Sequence, residues 1–553
     1  MCGLVGFMPG LPKEDSYRIL RNMLNLIEHR GPDESGIYHS ERIGLGNVRL
    51  SIIGLEKGTM PLCNQDKTLW ITFNGEVYNY IELREELLEK GYAFETNTDT
   101  EVVLYLYEEF GESFIEKLNG QFAIAIWDET KDQLFLGRDR VWIRPLFYTS
   151  FEGRFLFASE IKSFLEFPGV SFELCEEAIS DYFTFWTCLP PKTAFKDIFQ
   201  VPCGSYMLVK NSKIRTVPYW NLLALDLQEN EIDLDSASEA LDNLLRDSVR
   251  LRLRADVEVG CYLSGGLDST VTTHYATRYS KNKVKTYSLL FDDKEFDESQ
   301  YQRMAQELLR TEHTEVHCKD EDIASEFESV VWFSESPLFR TAPAPMKILA
   351  DGVQKKDIKV VLTGEGADEL LGGYNIFKEM KIRRFWAKDT ESNFRPLLLT
   401  RLYPYLPHIR QAKPNYLKLF FGYKLKEVDS PVYSHLLRWN NGNKLRQFFR
   451  SEFKEPIGDY DPVKAYESTA GESLESLDEL TAAQIIELQL FMSGYLLSSQ
   501  GDRMAMAHSV EGRYPFLDHR IIEFCLKLPA RFKINGLNEK FLLKRLFKNK
   551  IPS

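Results

Sequence analysis

Through residues 1–206, short apolar runs alternate with turn residues, as at Leu69–Phe73, Phe122–Trp127, Gln133–Leu136 and Phe155–Ala158. Runs this short and this closely spaced predict strands of antiparallel sheets. Helical periodicity is confined there to Asp15–His29, Ile81–Lys90 and Asp99–Phe110. Residues 211–234 are mostly polar and irregular, so a first domain at 1–206 and a second at 235–553 are expected, joined by a linker at 207–234. The pattern then changes. A long amphipathic helix fits Asp235–Arg254, followed by a strand at Val257–Leu263, a helix at Ser269–Tyr279, a strand at Val284–Phe291, a helix at Glu298–Leu309, a strand at Lys359–Thr363 and a helix starting at Asp368–Tyr374. Strand–helix alternation of this kind predicts a parallel sheet with helices on both faces. The remainder to Ser553 reads as mostly helical, without internal repeats.

Length agrees with this division, since 553 residues at 44% apolar exceed what one core serves. Lys+Arg is 68 and Asp+Glu is 82, a net charge of −14 without a long basic run, so neither a nucleic-acid nor a membrane partner is expected. A negative net field leaves room for a nucleotide, because phosphate is held locally by backbone N–H groups. The opening MCGLVGFMPG has no basic region and no long apolar stretch, so it is not read as a secretory signal. No run of about 18 apolar residues predicts a membrane span. Eight cysteines without a C-x-x-C pair argue against a zinc site or disulfide framework and for a reducing cytoplasm.

The candidate chemistry begins at Cys2. Removal of Met1 before the small pair Cys2-Gly3 would leave a thiol beside a free α-amine, and an amine of pKa about 8 can serve it as base. Taken alone, a cysteine at position 2 is more readily chance. His29-Arg30-Gly31-Pro32-Asp33 and Arg49-Leu50-Ser51-Ile52 add guanidinium groups. Phe73-Asn74-Gly75-Glu76-Val77-Tyr78-Asn79 sets a side-chain amide beside a glycine N–H, two donors suited to an oxyanion; in isolation Asn74-Gly75 reads as a hairpin turn. Asp99 reads in isolation as a helix cap.

These segments occur in the order of, and resemble, the class II glutamine amidotransferase domain. The resemblance continues through Asn119-Gly120-Gln121-Phe122-Ala123, Gly137-Arg138-Asp139-Arg140, Pro145-Leu146 and Phe157-Ala158-Ser159-Glu160. It implies an αββα sandwich with an N-terminal nucleophile that hydrolyses glutamine to glutamate and ammonia. It further implies that Cys2 is the nucleophile, that Asn74 and Gly75 form the oxyanion hole, that Arg49 holds the glutamine carboxylate, and that Glu76 and Asp99 hold its amine. Similar proteins usually have glycine where this chain has Val141-Trp142-Ile143-Arg144-Pro145; Trp142 does not take glycine-only angles cheaply, so a different loop is expected.

A second site is expected where a strand meets a helix at Tyr262-Leu263-Ser264-Gly265-Gly266-Leu267-Asp268-Ser269. A glycine-rich turn at a helix N-terminus is a phosphate pocket, and the absence of a following Gly-Lys-Ser/Thr rules out a Walker A loop. An ordinary tight turn is the alternative, and the full Ser-Gly-Gly-x-Asp-Ser motif between strand and helix makes it the minority reading. The loop at Leu362-Thr363-Gly364-Glu365-Gly366-Ala367-Asp368-Glu369-Leu370 also follows a strand, and its acids suit metal binding or helix capping. With Asp502–Ser509, Glu511–Asp518 and Asn538-Glu539-Lys540, the second half resembles the asparagine synthetase domain, an α/β pyrophosphatase-type fold with a helical extension. Sugar-phosphate enzymes preceded by similar glutamine domains lack the Ser-Gly-Gly-x-Asp-Ser loop.

By that resemblance an acceptor carboxylate, aspartate before others, attacks the α-phosphorus of ATP, and ammonia travelling inside the protein then displaces AMP. Leu263, Ser264, Gly265, Gly266, Asp268, Ser269, Leu289, Thr363 and Gly364 are implied to bind ATP, with Leu263 and Leu289 against the adenosine. Asp268 and Asp368 would hold Mg2+. Lys540 would stabilise phosphate charge, and Glu365 would act as base on ammonia. Arg340 stands open between an acceptor-carboxylate ligand and a surface salt bridge. The same chemistry on a cell-wall, saccharide or natural-product acid is the alternative, and a homodimer is left open. A ring-closing β-lactam synthetase is disfavoured by Cys2, and a non-catalytic scaffold by two intact sites.

Overall fold

The computed structural model describes residues 2–293, 297–403, 413–548 and 550–551. Its first half is two six-stranded antiparallel sheets packed face to face. One sheet runs Ile198–Gln200, Phe147–Phe151, Arg154–Ala158, Cys2–Met8, Gly44–Arg49, Glu34–His39; the other runs Lys213–Pro218, Ser205–Lys210, Gln133–Arg138, Gly120–Asp128, Leu69–Val77, Leu62–Cys63. The two-residue period of a strand builds the layers. Leu4, Leu45 and Phe157 meet Ala123, Trp127 and Leu136 between the sheets. Val5, Phe7 and Leu156 turn outward to the helix Lys13–Asn25. Ile71, Phe73, Ile124 and Ile126 turn the other way, to the helix Asp99–Phe110. The αββα order follows.

Two expectations change here. Residues 207–218 of the expected 207–234 linker belong to a hairpin: Lys213–Pro218 pairs along Ser205–Lys210 as an edge strand, mostly exposed, which is why it reads as polar and irregular. Trp142 does adopt left-handed angles, with φ +59°. The Asp139 carboxylate accepts from the backbone N–H groups of Val141, Ile143 and Arg144, so the turn is held by three bonds against a strain of about 1–3 kcal/mol.

The second half centres on a five-stranded parallel sheet ordered Glu312–Cys318, Lys285–Phe291, Val259–Tyr262, Val360–Leu362, Glu511–Arg513. Cys261 and Leu362 face the helices Leu234–Arg252 and Leu267–Tyr279; Tyr287 and Val361 face the helix Pro343–Gln354. From Val259–Tyr262 the next two strands lie to one side and the last two to the other, which opens a crevice at their carboxyl ends. The outer strands were not foreseen: Glu312–Cys318 is a polar edge, and Glu511–Arg513 is three residues, two of them charged, all buried. The helical run Glu479–Met506 is long and apolar enough to cross a membrane, yet 78% of its most apolar window is buried inside the protein. Its stretch Glu487–Asp502 is π-helical.

Two candidate active sites and the interface between them

Cys2 opens a central strand and pairs in register with Arg49. Its backbone nitrogen lies 3.1 Å from Asn74 Oδ1, and its carbonyl accepts from Arg30 Nε at 3.2 Å. The thiol is buried, which pushes its pKa up; the Leu50 N–H and the Arg49 charge pull the other way. Met1, and with it the freeing of the α-amine, falls outside the described residues. Asn74 and Gly75 are inside the strand Leu69–Val77, so the hairpin reading of that pair does not hold. Gly75 is a close approach: a Cβ there would meet Gln121 O at 2.2 Å. The Asn74 amide is steadied by Ser159, whose Oγ lies 3.5 Å from Asn74 Nδ2 and accepts from Leu4 N at 3.0 Å, a role that the Phe157-Ala158-Ser159-Glu160 segment does not reveal by its sequence.

Around the thiol stand the three charged residues the resemblance singled out. Arg49 donates to Glu34 Oε2 at 3.2 Å and to the carbonyls of Ile53 and Gly54, and Gly58 packs against its guanidinium. Asp99 does not cap its helix; Thr98 does, accepting from Glu101 N, while Asp99 accepts from Val77 N at 2.9 Å. Burial lifts the Asp99 carboxyl to about 6, against the bond from Val77. Burial and the Glu511 charge push Glu76 well up, against Arg513, whose Nη2 is 3.5 Å from Glu76 Oε2. Two buried carboxylates beside a thiol suit an ammonium ligand.

The second site lies in the crevice of the parallel sheet. A cavity of about 390 Å³ is lined by Leu263, Ser264, Gly266, Asp268, Ser269, Leu289, Thr363, Gly364, Glu365 and Asp368, with Glu369, Tyr374, Met492, Leu496 and Gln500 closing it. Ten sequence-selected positions thus share one cavity wall. Gly265 turns away, packing its backbone on the helix Ser299–Leu309. The two loops touch: a Cβ on Gly364 would meet Ser269 N at 2.8 Å. Lys540 bridges them, 2.6 Å from Asp268 Oδ2 and 2.7 Å from Asp368 Oδ1. Asp268 Oδ1, Thr363 Oγ1, Glu365 Oε2, Glu369 Oε2 and Gln500 Oε1 are buried without a hydrogen-bond partner among the described residues. Burial raises the Glu365 and Glu369 carboxyls. Unpartnered buried polar atoms are costly unless a ligand meets them. Tyr374 and Gln500 carry no motif of their own and were not expected at the cavity, whereas Glu369 belongs to the second glycine loop, where it reads as a metal-binding or helix-capping acid.

Arg340 is not in the cavity wall. It donates through Nε to the Tyr495 hydroxyl at 3.1 Å and pairs with no carboxylate among the described residues, so the salt-bridge reading falls.

Between the sites runs a buried ionic chain. Asp502 accepts from Arg30 and from Arg144, each at 2.9 Å, and Arg144 Nη2 lies 3.5 Å from Glu511 Oε2. Glu511 pairs with Arg513, which returns to Glu76. The carbonyl of Cys2 and the Glu76 carboxylate are thereby tied to the end of the helix that lines the second cavity.

Residues 240–553 match the asparagine synthase family model, and residues 1–220 match the glutamine amidotransferase domain. The chain is 33% identical over 561 aligned residues to the glutamine-hydrolysing asparagine synthetase 1 of Bacillus subtilis (strain 168), covering 100% of this chain and 85% of that protein. It is 30% identical over 577 residues to an amidase of Gibberella zeae, with 97% and 83% covered. An amidase of Penicillium rubens is also 30% identical, over 589 residues, with 99% and 86% covered.

Proposed function

Since the chain belongs to the asparagine synthase family and is a glutamine-dependent amidotransferase of that type, we propose that it amidates aspartate, with nitrogen freed at Cys2. The observation that carries the second half of this reading is the pair of glycine loops meeting in one crevice, with buried oxygens left for a ligand.

In the first step the Cys2 thiolate attacks the glutamine amide, supported by the Asn74 amide and the Gly75 N–H; the nitrogen takes up the proton the thiol gave up and leaves as ammonia, and water then cleaves the γ-glutamyl thioester to glutamate and frees Cys2. Glu76 and Asp99 receive the glutamine ammonium. Arg49 receives the carboxylate, which must share or displace Glu34. In the second step the acceptor carboxylate attacks the α-phosphorus of ATP and pyrophosphate leaves. Backbone N–H groups of Ser264–Ser269 cradle the phosphates, and Leu263 and Leu289 bound the adenosine side of the cavity. Lys540 offsets phosphate charge. Asp268 and Asp368 fit a hard cation: Asp268 Oδ1 is buried without a hydrogen-bond partner among the described residues, and two carboxylates plus phosphate oxygens are a usual donor set for Mg2+. Bound there, Mg2+ would neutralise charge on the departing pyrophosphate. In the third step ammonia attacks the acyl carbon and AMP leaves, and Glu365, which lines the cavity and whose carboxyl is raised by burial, takes the proton. Ammonia needs a path shielded from water, since at neutral pH it would otherwise be mostly ammonium. The buried interface supports such a path. We propose a cytoplasmic location on the cysteines, all eight free. The amidase relatives support the second reading, the same chemistry on another acid.

The test is a panel of acids scored for pyrophosphate release with glutamine or ammonium. Aspartate is expected to be used, and Cys2→Ala to lose glutamine but keep ammonium as nitrogen source. Release with another acid and none with aspartate would replace the acceptor; full glutamine use by Cys2→Ala would remove the nucleophile.

A further inference from the structure

Arg340 is an arginine whose stem is engaged and whose fork is free. Three rings surround its guanidinium carbon, with centroids at 4.8 Å (Tyr495), 5.1 Å (Trp186) and 5.4 Å (Phe491). Nε is spent on the Tyr495 hydroxyl, and neither Nη has a protein partner among the described residues. Rings restrict a guanidinium without neutralising it, so both terminal nitrogens keep their capacity for a bidentate carboxylate.

This group stands at the rim of the adenylation cavity. Phe491 and Tyr495 are on the same π-helical stretch as Met492, Leu496 and Gln500, which line that cavity. The Tyr374 ring, also in the cavity wall, lies 6.3 Å from Phe491. The loop carrying Arg340 is anchored to the same helix by Ser336 and Ser499 at 3.0 Å, and it leads into the helix whose Met346 and Leu349 line the cavity. Trp186 comes from the other end of the chain. It ends the helix Glu176–Phe185 in a left-handed conformation, φ +69°, beside Phe491 at 5.9 Å. Thr187 seats it, since the backbone at Gly494 leaves no room for a Cβ against Thr187 Oγ1. The glutaminase half thus supplies one wall of the clamp on a synthetase-half arginine.

We propose that Arg340 selects acceptors carrying a second, non-reacting carboxylate, and that Trp186 is a positioning residue for it, reaching across from the glutaminase half. This rests on the reading of the cavity as the adenylation site. The rings hold the guanidinium beside the helix whose Met492, Leu496 and Gln500 line the cavity. A dicarboxylic acid then reacts at one end while the other end docks at the rim. A monocarboxylic acid of the same length lacks that second hold. Because Trp186 belongs to the first half of the chain, acceptor selection depends on how the two halves dock.

β-Alanine is aspartate without its α-carboxylate and isolates the effect. Ammonium-dependent pyrophosphate release is measured with both acids in the full chain. The parent is expected to prefer aspartate in kcat/KM by about tenfold or more, the size of one charged hydrogen-bonded contact. Arg340→Met and Trp186→Ala should raise the KM for aspartate, leave the KM for ATP within about twofold, and collapse the preference; Trp186→Phe should restore it. An unchanged preference in folded Arg340→Met and Trp186→Ala proteins would overturn the proposal while leaving the adenylation site standing, as would a parent that uses both acids equally. A parent releasing pyrophosphate with neither acid would remove the proposed acceptor and this inference together.

Discussion

At Asp99 a single carboxyl links burial to a pH profile. It must be ionised to hold an ammonium, and burial lifts it from 3.8 to about 6. We therefore expect kcat/KM for glutamine hydrolysis to fall as pH drops through about 6 and Asp99→Asn to lose that acid limb along with most glutamine affinity. The same shift has a sign for stability: the folded state holds the proton more tightly than the unfolded chain. Ionising Asp99 between about pH 4 and 6 therefore costs the fold about 2–3 kcal/mol, fully felt above that range. Asp99→Asn should be the more stable protein at pH 7 by about that much in denaturant titration, the difference vanishing below about pH 4. Equal stability at pH 7 would contradict the burial account. At this scale the sequence is informative about identity and poor about state. Cys2, Asn74, Gly75, Glu76 and Asp99 were all legible through the order of short motifs, and the structure gathers them around one thiol. That Arg49 is held by Glu34 and the carbonyls at 53 and 54, or that Ser159 steadies Asn74, required the chain to be folded, because those partners lie far off or in an unpatterned loop.

Strand edges and loop crossings decide what the elements do. The loops after Val259–Tyr262 and Val360–Leu362 meet so closely that a methyl group on Gly364 would press Ser269 N at 2.8 Å. Gly364→Ala should part the loops and lower ammonium-dependent pyrophosphate release by about a hundredfold or more, while glutamine hydrolysis at Cys2, on separate sheets, changes less than about twofold. Equal loss of both activities would mean a general folding defect. Long periodic elements were legible: the helix Asp99–Phe110 begins and ends where its pattern does. Elements at sheet edges were not. Lys213–Pro218 and Glu312–Cys318 bury little, so hydrophobic alternation leaves no trace in them. Glu511–Arg513 is the converse case, a buried strand built from charges that pair with each other and with partners from three other segments, Arg144, Glu76 and the carbonyl of Arg252. The Asn74-Gly75 pair, a hairpin signal locally, stays extended because nine consecutive register pairs with Gly120–Asp128 outweigh a two-residue preference.

Across the whole molecule, the halves read as separate domains in sequence and are continuous in structure. Val141, Ile143 and Phe185 from the first half sit in the main hydrophobic cluster of the second. The Arg30–Asp502–Arg144–Glu511–Arg513–Glu76 chain crosses between them entirely below the surface. Buried charges of this kind are stable only while every partner is present, so the two halves are expected to move as one body. That union is what a nitrogen donor site and an acid-activating site need if ammonia is to pass without meeting water. The most direct test is one mass spectrum of the products formed from amide-15N glutamine and aspartate labelled with 18O in its β-carboxylate, in the presence of excess unlabelled ammonium. The account predicts 15N in the amide product and one 18O in AMP. An amide without 15N, or AMP without 18O, would contradict it.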